Sequence, residues 1–389
     1  MWVMTRTLIC ALLVMGTLLG LAGIDLVLPA LPLLAGWPGG DAARAQLVIA
    51  AYVAGAMAGM LLFGTLAARF DRRFLLLGAM AAFGILSGMS VLVTDLDVLI
   101  ALRAGQGLAG SAPAVFAPGI IRRLFDEVGA MRALALLGSI EAIAPGAAPL
   151  AGAALIAWAG WQAPFLAITL AALLVLACLT AGLGILPGGR VEKRQGGSYG
   201  RLLRDPVFLR YGLSHGGVLG GLLIFVFGAP VTITTGMGGS MGDFLVMQAI
   251  GVTLFAITAN LAGGLARRFG IERMISIGTA MAFLSGILLL IFGWTGGGPV
   301  WMLSVLFAPM NIGLGLRGPP GFLRAIMAGR GDDDRASALV ILFITGISSL
   351  GTALLAPFIT LGLPALTLAV ALVQAVGLAA LILLPRLPD

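Results

Sequence analysis

What most restricts this chain is a succession of long apolar segments, each about 20 residues or more, separated by short turns or clusters of charge. A bilayer crossing needs that length of mostly apolar chain, and the sequence reads as twelve such spans: 7–34, 42–67, 74–94, 97–121, 132–158 and 163–186, then 207–235, 243–266, 274–294, 299–323, 336–361 and 363–384. Of 389 residues, 60% are hydrophobic and 10% charged, against roughly 25% charged in a soluble domain. Water is therefore not the solvent for most of the surface. The 58 glycines read as helix-packing surface, because small residues let membrane helices approach closely. The first apolar run continues past Ala30 without a small-residue cleavage site, so it reads as a span and not as a signal peptide.

The net charge of +7 acquires meaning from its placement. Every basic residue except Arg44, Arg103 and Arg317 falls before span one, after span twelve, in alternate inter-span segments or, as Arg132 and Arg210, in the first turn of the span that follows such a segment. Positive residues mark cytoplasmic loops, so both termini are expected in the cytoplasm. The basic segment from Pro187 to Pro206 offers a single aromatic, Tyr199, where a single-strand binder would interleave stacking rings. Nucleic acid is therefore not expected as a partner.

An internal repeat divides the chain. GTLAARF at 64–70 returns as GGLARRF at 263–269, and MRALAL at 131–136 as DRASAL at 334–339. Offsets of about 200 residues imply two halves: an N-terminal six-helix bundle over 1–186, a cytoplasmic linker over 187–206, and a C-terminal six-helix bundle over 207–389. Paired membrane bundles of this kind alternate access to a site near the midplane.

Four motifs occur in the expected spans. The turn after span two carries Gly64, Leu66, Arg69, Arg72 and Arg73. Span four carries LRAGQG with Arg103, Gln106 and Gly107. Span five carries APGAAPLAG, including Pro145, Gly146, Pro149 and Gly152, followed by Trp161 and Phe165. Span one carries IDLVLPALP, from Ile24 to Pro32. Together they resemble the major facilitator superfamily over essentially the whole chain, and within it the bicyclomycin and chloramphenicol-resistance type of drug:proton antiporters. The resemblance implies an all-α polytopic fold of twelve transmembrane helices in two pseudo-symmetric six-helix bundles. It also implies a monomer in a bacterial inner membrane, working on a small-molecule substrate and protons. Departures fall in the first motif: Ala68 stands where the family has an acid that latches the cytoplasmic side, and Asp71 where it has a second glycine.

Ionisable residues inside spans cost roughly 2.5–3.5 kcal/mol at the helix centre, so function is their default reading. Asp25 lies upstream of Pro29 and Pro32, which remove backbone donors and loosen the turn before them. It either exchanges protons, or binds a cationic substrate in competition with the proton, or caps or pairs with a neighbouring helix. Glu141 is a second candidate acid, or a carboxyl hydrogen-bonded between helices. Arg103 keeps its charge and so either tunes a nearby carboxylate or fixes spans together. His215, the sole histidine, is open between a titrating role and a packing or hydrogen-bonding one, and Arg317, before Pro319 and Pro320, between facing the cavity and reaching a cytoplasmic interface. The proline and glycine run in span five either packs tightly or, as the family implies, seals against proton leak.

No metal-ligand spacing, phosphate loop or catalytic triad pattern occurs, so neither an enzyme nor a cofactor or metal is expected. The leading expectation is a proton-coupled antiporter that exports small amphipathic compounds. The alternatives are a dedicated exporter or symporter of one metabolite, such as a siderophore or sugar derivative, and a non-transporting sensor or scaffold.

Overall fold

The structure, a computed structural model, describes residues 2–37, 40, 42–141, 144–183, 186 and 198–387, and no strand occurs among them. In chain order the helices are α1 (Trp2–Asp25), α2 (Leu31–Ala35), α3 (Ala42–Leu66), α4 (Arg72–Leu92), α5 (Leu96–Gly110), α6 (Ala112–Leu124), α7 (Glu127–Glu141), α8 (Ala144–Ala159) and α9 (Ala163–Ala181). They continue with α10 (Tyr199–Leu202), α11 (Pro206–Val231), α12 (Met241–Phe269), α13 (Ile271–Trp294), α14 (Trp301–Ala328), α15 (Asp333–Leu355) and α16 (Leu363–Leu383). Of the expected linker, residues 187–197 lie outside the described residues. Its remainder holds α10 and Asp205, which caps α11 by accepting the Val207 N–H at 2.9 Å.

Among the described residues, ten helical segments are long and apolar enough to cross a membrane. The fifth crossing is carried by α7 and α8, which flank residues 142–143. The tenth is α14, made more polar by Asn311, Arg317 and Arg324 and carrying Pro309, Pro319 and Pro320 within it. Large apolar side chains lie bare on the outer helix faces, Leu92 at 83% exposure and Leu383 at 79%, as lipid-facing positions should.

Helix ends follow local chemistry. Asp95 caps α5 through the Asp97 and Val98 N–H groups, at 2.8 and 3.1 Å. Ser240 and Asp243 form a reciprocal capping box on α12, which satisfies two otherwise orphaned donors. Prolines set the interruptions. Span four divides into α5 and α6 at Ser111, where Pro113 has no N–H for the carbonyl four residues back.

The chain packs as two compact units, Met1–Leu124 with Ile140–Gly197, and Phe125–Ser139 with Ser198–Asp389. In the first, α3 lies along α5 and α4 along α9. Gly107 touches the Tyr52 backbone so closely that a Cβ there would overlap it. In the second, α14 packs on α12 and α13, and α11 on α15 and α16. Phe225, Phe307, Met310 and Val370 fill one part of its core; Phe208, Ile275 and Val340 fill another.

Candidate functional site

Asp25 is the last residue of α1. Pro29 supplies no N–H to its carbonyl, so the helix yields to a tighter turn: Val27 donates to Ile24 at 3.2 Å and Ala30 to Val27 at 2.9 Å. The carboxyl is half-buried. The next residue, Leu26, lies against Gly152 of α8, where a Cβ would strike the Leu26 carbonyl. The glycine of the span-five motif thus holds α8 against the break that carries Asp25.

Arg103, on α5, is completely buried. Its Nη2 donates to the Gly23 carbonyl at 2.7 Å, Nε to the Val48 carbonyl at 3.2 Å, and Nη1 to Gln106 Oε1 at 2.9 Å. The guanidinium lies 4.2 Å from the Tyr52 ring centroid and 5.9 Å from that of Phe165. Gln106 in turn donates to Ser90 Oγ at 2.7 Å and the Leu86 carbonyl at 3.0 Å. Four helices, α1, α3, α4 and α5, therefore meet through one arginine and one glutamine. Tyr52 donates to the Gly20 carbonyl at 2.6 Å and interacts electrostatically with both Arg103 and Asp25. From Phe165 a line of rings continues to Trp161, at 6.1 Å, and on to Trp37, at 4.7 Å from Trp161 and edge-on to it.

Asp25, Arg103 and Gln106 are thus brought into one neighbourhood, while Glu141 occupies another. Its carboxyl meets the Thr17 hydroxyl, eight residues and about 12 Å back along α1. The Thr17 hydroxyl donates to the Val14 carbonyl at 2.9 Å, and its one proton cannot serve Glu141 at the same moment.

In the first motif Gly64 is buried and Arg69 exposed. Asp71 is the cap of α4: it accepts the Arg73 N–H at 2.9 Å and pairs with the Arg73 guanidinium at 2.8 Å. Arg72 is buried. Pro145, Gly146, Pro149 and Gly152 all fall in α8. In the second unit His215 and Arg317 are buried on α11 and α14.

The sequence reading passed over two residues that organise their surroundings. Tyr52 is one. The other is Glu272, at the start of α13, which accepts from Tyr211 Oη at 2.6 Å and pairs with Arg210 at 3.5 Å and Arg324 at 3.9 Å. Arg210 also donates to the Leu381 and Leu384 carbonyls, and Leu387 N–H to Tyr211 Oη at 3.0 Å, so the chain end is tied to α11 and α13. Glu272 has no sequence signal beyond its place beside Arg267, Arg268 and Arg273, and Tyr52 none beyond a lone phenol in an apolar span. Among the described residues, no group of His, Cys, Asp and Glu could hold a metal ion.

Comparison with known proteins agrees with this architecture. The chain is 29% identical over 352 residues to a chloramphenicol resistance protein of Pseudomonas aeruginosa, covering 86% of this chain and 80% of that protein. It is 27% identical over 320 residues to the multidrug resistance protein MdtL of Shigella flexneri serotype 5b, covering 80% of each. Among solved structures, the proton:xylose symporter XylE matches with a TM-score of 0.75 at 16% identity, over 98% of this chain and 95% of that one. The E. coli fucose:proton symporter FucP matches with a TM-score of 0.73 at 15% identity, over 98% of both. At such identity the last two speak for the fold alone: twelve transmembrane helices in two six-helix halves. The family model of the Major Facilitator Superfamily matches residues 13–339, and the chain accordingly belongs to that family, as a multi-pass membrane transporter and not an enzyme.

Proposed function

We propose that this transporter is a proton-coupled antiporter that exports small amphipathic compounds by alternating access. The observation that carries the reading is the setting of Asp25, a half-buried carboxyl at a proline-broken helix end. Two residues upstream, the Gly23 carbonyl holds Arg103. Because Arg103 is anchored by carbonyls and a glutamine, it can keep its place whether Asp25 is protonated or ionised. Its charge is then a fixed field, and the proton exchange belongs to the carboxyl. Substrate from the cytoplasm or inner leaflet displaces the proton from Asp25, with Glu141 as a second acid, and protons from the other side reload the site.

The same reading takes the protein as a monomer in a bacterial inner membrane, with both termini and the arginine-rich turns cytoplasmic and residues 187–206 linking the halves. The Arg73 pair at Asp71 and the Gly152 contact are its conformational elements. The names of the relatives, chloramphenicol resistance and multidrug resistance, favour a broad exporter over a dedicated one, and a panel of dyes, antibiotics and metabolites separates the two. The sensor or scaffold alternative loses its ground with membership of a transporter family. In inverted vesicles, adding substrate should release protons from the wild type and not from Asp25→Asn; unchanged coupling in that variant would sink the assignment.

A further inference from the structure

Each unit has one arginine with no exposed surface in a proline-containing crossing, Arg103 and Arg317, and the two are satisfied differently. Arg103 spends its donors on two carbonyls and a glutamine. Arg317, with no exposed surface, makes one hydrogen bond, from Nη1 to the Ser214 carbonyl at 3.0 Å. Its Nε and Nη2 meet no acceptor, and neither do Ser214 Oγ and His215 Nδ1 find a partner. Ser214 and His215 are themselves buried. His215 interacts electrostatically with Arg317, and its ring lies 5.4 Å from that of Phe322, five residues further along α14. Among the described residues no carboxylate pairs with Arg317.

This neighbourhood is rich in donors and poor in acceptors. A buried charge without a partner is strongly unfavourable, and in a membrane span such groups pair or mark a ligand path. The backbone around Arg317 is loosened as well. Pro319 and Pro320 remove the two donors that would hold the carbonyls of Gly315 and Leu316. Gly321 gives the guanidinium its room, since a Cβ there would lie 2.8 Å from Nη2.

We propose that Arg317, Ser214 and His215 form an anion site inside the second unit, taking a small monoanionic group: a halide, or the carboxylate of a transported compound. Nε and Nη2 of Arg317 and the Ser214 hydroxyl donate to it. His215 adds a donor in the tautomer that carries its proton on Nδ1. The site shares no residue with the Asp25 neighbourhood and requires neither proton coupling nor export, so it can succeed or fail independently of the antiport reading.

The test is equilibrium binding to the purified full-length protein in lipid nanodiscs, read as the thermal unfolding midpoint. Sodium chloride, formate or benzoate replaces sodium gluconate at constant ionic strength. A ligand that binds only the folded state raises the midpoint saturably. Wild type should respond, and Arg317→Gln should lose about tenfold or more in apparent affinity. A response to chloride and formate identifies a free anion as the ligand, and a response to benzoate alone identifies the acidic group of an amphipathic compound. Should Arg317→Gln fail to fold, Gly321→Ala carries the test, because its methyl crowds Nη2 while leaving the charge in place. No saturable response to any of the three anions in wild type, or an undiminished response in the folded variants, would overturn the proposal.

Discussion

Arg103 holds its position through donors that no other side chain reproduces. Replacing it with leucine leaves the Gly23 and Val48 carbonyls and the Gln106 amide without their donor. Hydrogen bonds to a charged group contribute about 1.5–3 kcal/mol each, so Arg103→Leu should lower unfolding stability by about 3 kcal/mol or more, measurable by denaturant unfolding in detergent. Arg103→Lys keeps the charge but loses the planar fork and should fall between. Tyr52→Phe keeps the ring beneath the guanidinium and removes only the bond to Gly20, so its cost should be about 1 kcal/mol. A loss equal to that of Arg103→Leu would show that the hydroxyl, and not the ring, supports the arginine. At this scale the sequence was legible in part. Asp25, Arg103 and Gln106 announce themselves as polar residues in apolar spans. Their partners do not, because the acceptors of Arg103 are mostly backbone carbonyls, which every residue carries. Glu272 was hidden for the opposite reason: it sits where charge is ordinary, and only packing shows that Tyr211, Arg210 and Arg324 converge on it.

At the scale of elements, the contact of α8 with α1 depends on one missing side chain. Gly152→Val would place branched carbon on the Leu26 carbonyl, and overpacking of this kind costs typically 1–3 kcal/mol. The variant should melt at a lower temperature and lose proton coupling more than substrate binding, because the strain falls beside Asp25. Asp71→Ala removes the cap of α4, worth about 1 kcal/mol, along with the Arg73 pair; hydrogen exchange at the first turn of α4 should rise while the rest of the helix stays protected. Element existence was readable from the apolar runs and boundaries were not. Span one is one apolar run, yet the chain divides into α1 and α2 because Pro29 and Pro32 act on backbone hydrogen bonds, which hydropathy does not register. Span four divides at Ser111 for the same reason. Span seven passes from α11 into a wider turn at Thr232–Gly236, close after Pro230.

For the molecule as a whole, the repeat and the charge bias carried most of the reading: twelve crossings in two halves, with arginines gathered at alternate turns. The orientation proposed from that bias has a direct check. In a background with Cys10 and Cys178 replaced, Ser240→Cys should react with a membrane-impermeant maleimide added to intact cells, and Arg69→Cys only after permeabilisation. The reverse pattern would invert the topology and with it the direction of proton flow. The edge-on contact of Trp37 with Trp161, at 4.7 Å, has an optical consequence. Two indoles that close couple their transition dipoles, so the pair should give a bisignate circular-dichroism band that Trp37→Phe abolishes. Through Phe165 the pair touches the rings around Arg103, so the first unit contains its own chromophore, able to report rearrangement near Asp25 without an added label.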